Sequence, residues 1–187
     1  TSVLMRPWIG ALPASTITPT ILRTIFQLQD VQPVQCVQPD FDLHLKIEEV
    51  QADDVATEVN RIAADEARTP FDLTRLPLLR MRVLRTGSQK HVIIFHFHHI
   101  IFDAWSGSVF WRELTHLYDA FLAGRPSPLP ELPIQYGDYA IWQKEWLQGE
   151  ALEEQLNYWK KQLAGVPEFL DFPTDRPRRA NLSNRGA

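Results

Sequence analysis

Two apolar runs, 78–84 and 92–98, flank the segment Thr86-Gly87-Ser88-Gln89-Lys90. Two strand-length runs separated by a short polar, glycine-containing turn predict a β-hairpin. The second run is apolar on both faces at Val92-Ile93-Ile94-Phe95, which predicts a central strand. Residues 105–122 then switch to helical spacing, with Val109, Phe110, Leu114, Leu117 and Phe121 along one side and Gly124 beyond as a cap. A hairpin that feeds directly into an amphipathic helix points to a layered α/β fold.

The rest of the chain fits that layering. Residues 31–37 read as a strand, and 41–48 alternate as a half-buried strand with Phe41, Leu43, Leu45 and Ile47 inward. Residues 52–68 form an amphipathic helix, with Val55, Val59, Ile62 and Ala63 at helical spacing, and Thr69-Pro70 ends it. A short helix is expected within 20–26. Residues 126–133 are proline-rich and predict an extended connection. Two more helices follow at 136–146 and 151–163, divided at Gly149. Residues 1–18 show no period and are unassigned.

Composition excludes several classes. At 187 residues the chain suffices for one domain or one lobe of something larger. An apolar fraction of 44% argues against wholesale disorder. A net charge of -4 argues against a nucleic-acid partner. No apolar run approaches the roughly 20 residues that span a bilayer, so no membrane partner and, by default, a cytoplasmic location are expected. Cys36 is the lone cysteine; its strand-like flanks favour a buried structural role over a catalytic thiol.

Four of the six histidines lie between His91 and His99. Three of them form His96-Phe97-His98-His99-x-x-x-Asp103-x-x-Ser106 where the apolar strand ends and the helix begins. Strand alternation places His96 and His98 on one face and Phe97 and His99 on the other. An imidazole facing a cleft can take up and return a proton near neutral pH. Asp103, ionised and partly buried, calls for a cation such as arginine. Three other readings compete: a metal cluster, a purely structural pair with Asp103 capping the next helix, and a genuine site that is inactive in this copy.

The segment His98-His99-Ile100-Ile101-Phe102-Asp103-Ala104-Trp105-Ser106 resembles the HHxxxDG core of the condensation domains of nonribosomal peptide synthetases. Phe71-Asp72-Leu73 with Pro77-Leu78-Leu79-Arg80 is similar to the family's FDLxxGPLLR segment, and Tyr136-Gly137-Asp138-Tyr139-Ala140-Ile141-Trp142 to its YxDxAxW motif. Tyr158-Trp159 and Leu170-Asp171-Phe172-Pro173-Thr174-Asp175-Arg176-Pro177-Arg178 match its downstream stretches, and Arg185-Gly186 resembles the end of the next. The resemblance covers residues 20–187. Leu22-Arg23-Thr24 matches only the end of the family's RHExLRT motif. Ala104 stands where the family has glycine; were positive φ needed there, alanine would cost about 1 kcal/mol.

The resemblance implies a chloramphenicol-acetyltransferase-like α/β lobe with a mixed sheet flanked by helices, one half of a two-lobed V. On that basis residues 19–187 are the N-terminal lobe, after an unassigned or truncated start at 1–18, and the C-terminal lobe is absent. It implies acyl transfer that joins carrier-bound aminoacyl or peptidyl thioesters through an amide. His99 would orient the acceptor amine, accept its proton or stabilise the tetrahedral intermediate, His98 would be more structural, and Asp103 would hold the loop through a salt bridge to Arg23. Trp105 and Ser106 would start the helix behind the loop, with Ser106 able to cap it, while Tyr136, Asp138 and Trp142 would pack the lobe. No metal and no directly bound cofactor are implied, since the substrates ride on phosphopantetheine of donor and acceptor peptidyl carrier domains beside an adenylation domain. The isolated lobe would be inactive. A catalytically silent docking module and a stand-alone acyltransferase are the alternatives.

Overall fold

The computed structural model describes residues 19–39, 46–168, 173 and 175. They fall into two units, one ending at Trp142 and the other starting at Gln143. The centre of the first is a mixed three-stranded sheet in the order β3-β4-β5, comprising β3 (Lys46–Glu49), β4 (Leu79–Arg85) and β5 (His91–Phe97). β3 runs parallel to β4, while β4 and β5 form the predicted hairpin, in register from Leu79↔Phe97 to Arg85↔His91. The turn closes where Thr86 N–H donates to the Lys90 carbonyl at 2.9 Å.

The pleat sorts the hairpin's side chains onto two faces. Met81 and Val83 share one face with Ile93 and Phe95. Helix α2 (Ala104–Leu122) covers this face, with Phe110 and Trp111 edge-on to Phe95 at 5.0 and 5.5 Å. On the other face, Arg80 and Arg82 of β4 reach Glu66 of helix α1 (Val55–Arg68). Burying Val83 and Leu84 fully contributes roughly 1.5–3 kcal/mol each.

β5 is not central: among the described residues β4 is the inner strand and β5 lies at the edge. Its apolar residues on both faces reflect a helix on each side of the sheet, not a strand on each flank. Ile47 is also not inward, being 43% exposed, while its neighbour Glu48 turns toward Arg82. The remainder of the predicted strand at 41–48 begins outside the described residues, as do the segment 1–18 and most of 170–187.

The expected helix within 20–26 is only a 3-10 turn, Thr20–Arg23, and the chain extends from Thr24 onward. Four β-branched residues among the first six, Thr20, Ile21, Thr24 and Ile25, oppose a continued helix. β1 (Thr24–Gln29) pairs instead with β2 (Gln32–Val37) in a separate antiparallel hairpin. Asp30 and Val31 form its tip at φ 48° and 67°, the left-handed geometry of a two-residue turn. Cys36 sits half-buried on β2, with its Sγ 3.8 Å from Gln27 Oε1.

Helix α1 starts where Asp54 accepts from Thr57 N–H at 3.1 Å, and it buries Ile62. Helix α2 ends at Gly124, whose φ of 67° lets Arg125 N–H reach the Ala120 carbonyl at 2.8 Å. Helices α3 (Tyr136–Trp146) and α4 (Gly149–Gln162) follow the extended proline-rich stretch. Tyr136 and Trp142 are 49% and 54% exposed, and both rings meet Tyr139, at 5.9 and 5.7 Å. Asp138 binds locally, accepting from Gln135 N–H at 2.8 Å.

Candidate active site

The histidine run leaves the sheet at Phe97 and turns immediately. Phe97 stacks on Phe102 at 3.9 Å, and both meet Phe110, so residues 97 and 102 anchor the two ends of the loop in one aromatic cluster. Between them Ile101 is buried against Leu78 and Leu79. His98 N–H donates to the Leu78 carbonyl at 2.9 Å, and Ile101 N–H to the His98 carbonyl at 3.1 Å. The segment 98–103 is therefore short, pinned by its backbone and plugged by an isoleucine.

His98 and His96 lie on one face, as alternation predicts. Both rings meet Phe71, at 5.1 Å for His96 and 5.8 Å, edge-on, for His98. His98 Nδ1 accepts the Ile100 N–H at 3.0 Å. A neutral ring then carries its proton on Nε2. His99 lies beyond the strand end, where alternation no longer applies, and is exposed in the turn. It does not share the core-facing side of Phe97.

Asp103 is exposed and caps helix α2: its Oδ1 accepts from Ser106 N at 2.8 Å and Ser106 Oγ at 2.6 Å. These bonds, the side-chain one first, hold its carboxyl below the usual aspartate range, with a smaller contribution from the nearby His99 charge. The expected clamp to Arg23 is not formed. Arg23 donates instead to the Gln38 carbonyl at 2.5 Å and to that of Pro39 at 3.4 Å. The reason is local: a donor three residues away satisfies Asp103 at the helix start, and no burial demands a cation. Ser106 is thus the donor to the cap, not the cap itself. Trp105, in the first turn, is 80% exposed. Ala104 is not a positive-φ residue, and alanine carries no backbone penalty there.

Sequence reasoning missed the layer beneath His96 and His98. Arg80 lies over Phe71 with its Cζ 3.8 Å from the ring centroid, and an Arg80 nitrogen is 3.0 Å from His96 Nδ1. Arg80 Nε pairs with Glu66, and its NH2 group donates to the carbonyls of Glu66 and Thr69 at 3.2 and 2.6 Å. Burial first, and then the Arg80 charge, push the His96 imidazole below its ordinary value. Arg80 was visible in the Pro77-Leu78-Leu79-Arg80 segment, but only the register opposite His96 shows what it touches. Among the described residues no three His, Cys, Asp or Glu side chains converge as a metal cluster, and no helix is long and apolar enough to cross a membrane.

A family model described as "Condensation domain" matches residues 11–186. The chain belongs to the condensation-domain family. It is 44% identical over 185 residues to a linear gramicidin synthase of Brevibacillus parabrevis, covering 96% of this chain and 2% of that relative. It is likewise 44% identical over 168 residues to chondramide synthase of Chondromyces crocatus, covering 88% and 4%. Among solved structures, the X-domain from teicoplanin biosynthesis, in complex with OxyB, is similar with a TM-score of 0.82 and 29% identity over 96% of this chain and 39% of that one. The first condensation domain of the calcium-dependent antibiotic synthetase has a TM-score of 0.74, with 21% identity over 89% and 39%, and supports the fold alone. The chain thus spans a few hundredths of these curated relatives and about 40% of these solved chains. Its mixed sheet with flanking helices is the α/β architecture of one condensation-domain lobe.

Proposed function

We propose that this condensation-domain lobe supplies the histidine loop of an acyl transferase that joins two carrier-bound thioester substrates through an amide bond. The acceptor amine nitrogen adds to the donor carbonyl carbon, the C–S bond breaks, and the amine proton ends on the released thiol. His99 is the residue we assign to the amine proton. The carrying observation is its exposure in a turn held by Leu78, Ile101 and the Phe97–Phe102 stack. An anchored loop with one exposed imidazole suits positioned proton transfer, which typically contributes on the order of 10²- to 10⁴-fold in rate. The thioester is already activated, so this reading calls for neither metal nor nucleotide. The partners are donor and acceptor peptidyl carrier domains bearing phosphopantetheine, with an adenylation domain and the second lobe in the same synthetase.

The test is an aminoacyl-thioester condensation assay on the full-length parent synthetase. His99→Ala is expected to lose at least about 100-fold in rate. A variant that keeps the parental rate would end the catalytic assignment. One observation favours a second reading, a silent docking module: Asp103 binds Ser106 and not Arg23, so no ionic clamp ties the loop to the first hairpin. A parent synthetase that binds loaded carriers yet forms no amide would support it.

A further inference from the structure

The two rings that flank the histidine loop rest on one cation. Arg80 is 24% exposed, and its guanidinium is held on several sides: by the Glu66 carboxylate and by the carbonyls of Glu66, Thr69 and Pro70 at the C-terminal end of α1. That planar, multiply bonded group forms a floor for the Phe71 ring. Phe71 in turn meets the edge of His98, whose Nδ1 receives the N–H of Ile100 next to His99. We propose that Arg80 is a positioning residue for the His98-His99 loop, acting through the Phe71 ring. A helix end, a strand and the loop are thereby coupled through a single side chain. Lysine cannot replace it: an ammonium lacks the planar fork that meets three carbonyls and a carboxylate while its centre lies over a ring. The expected effect on rate rests on the acyl-transfer reading above; the effect on His98 does not.

The experiment compares Arg80→Lys, Phe71→Leu and Phe71→Tyr, with Arg82→Lys as a control on the same strand. In the 187-residue chain, imidazole nitrogen shifts report the His98 tautomer. Wild type, Phe71→Tyr and Arg82→Lys are expected to show a proton held on Nε2. Arg80→Lys and Phe71→Leu are expected to show an averaged mixture of tautomers. In the full-length parent the same two variants are expected to lower kcat on the order of 10-fold, with KM changed by less than about twofold. Wild-type nitrogen shifts in both Arg80→Lys and Phe71→Leu would overturn the positioning role and leave the proposed function intact. Altered shifts with a parent that makes no amide would sustain the positioning role and remove the proposed function. Should Arg80→Lys fail to fold, Phe71→Leu against Phe71→Tyr still decides.

Discussion

The N–H of Ile100 donates to Nδ1 of His98 across 3.0 Å, so the first motif histidine acts as an acceptor for its own loop. A side chain that offers an acceptor at the same reach should keep that loop. His98→Asn is therefore expected to fold with near-parental stability. His98→Ala, which leaves the N–H without its partner, is expected to lose about 1 kcal/mol. Urea titration of the two variants side by side checks the difference, and equal losses would show that the bond contributes nothing.

The Asp103 carboxyl titrates below its ordinary range because Ser106 donates to it twice. A lowered folded-state value means that the cap stabilises fully above the ordinary aspartate pKa of about 3.9. That contribution is lost as pH falls through the lowered value. Asp103→Asn keeps an acceptor for the Ser106 N–H without a titrating group. It is expected to flatten the acid limb of the melting temperature, whereas Asp103→Ala is expected to lower the melting temperature at neutral pH. Thermal scans between about pH 2 and 7 test both, and an unchanged acid limb in Asp103→Asn would contradict the assignment.

Burial, and then the Arg80 charge, push the His96 imidazole below its ordinary value, opposed by Glu66. Its folded value lies below the unfolded one of about 6.5. The neutral ring therefore adds stability above that pH, and the stability is lost as pH falls through the lowered value. His96→Gln is expected to shrink the drop in urea midpoint between about pH 7 and pH 5. An equal drop in the variant and wild type would place the acid sensitivity elsewhere.

Arg82 joins two strands and a helix through Glu48 at 2.8 Å and Glu66 at 3.5 Å, with its side chain 19% exposed. Removing it takes from Glu48 its two guanidinium hydrogen bonds and leaves Glu66 with Arg80. Arg82→Ala is expected to cost about 2–3 kcal/mol, below the fully buried limit because the site is partly hydrated. The double variant Arg82→Ala/Glu48→Gln should recover part of the loss, and simple additivity in a mutant cycle would argue against the coupling.

Elements with a clear local rule are legible in the sequence. The turn at 86–90 and the helical spacing after 104 predict β4, β5 and α2 within a residue or two. Long-range partners are not legible. Nothing in spacing places Arg80 opposite His96, because register emerges only when two strands pair. The Asp103–Arg23 expectation fails because a local donor outcompetes a distant cation. Apolar residues on both faces of β5 do not make it central, because they report layers above and below, not neighbours in the sheet. Phe71 carries no period at all; its ring contacts depend on how the stretch after α1 meets the strand ends.

The hairpin, the loop and helix α2 form one uninterrupted stretch from Leu79 to Leu122. Contacts of short sequence separation assemble quickly, since little loop entropy is lost before they form. During vectorial synthesis this stretch can acquire its native arrangement before anything downstream of it has left the ribosome. Pulse-labelled hydrogen exchange should then find amides of 79–122 protected earlier than those of β3, whose partner strand lies far along the chain, and the reverse order would refute this. The histidine loop is, in that sense, among the first parts of the nascent chain to know its place.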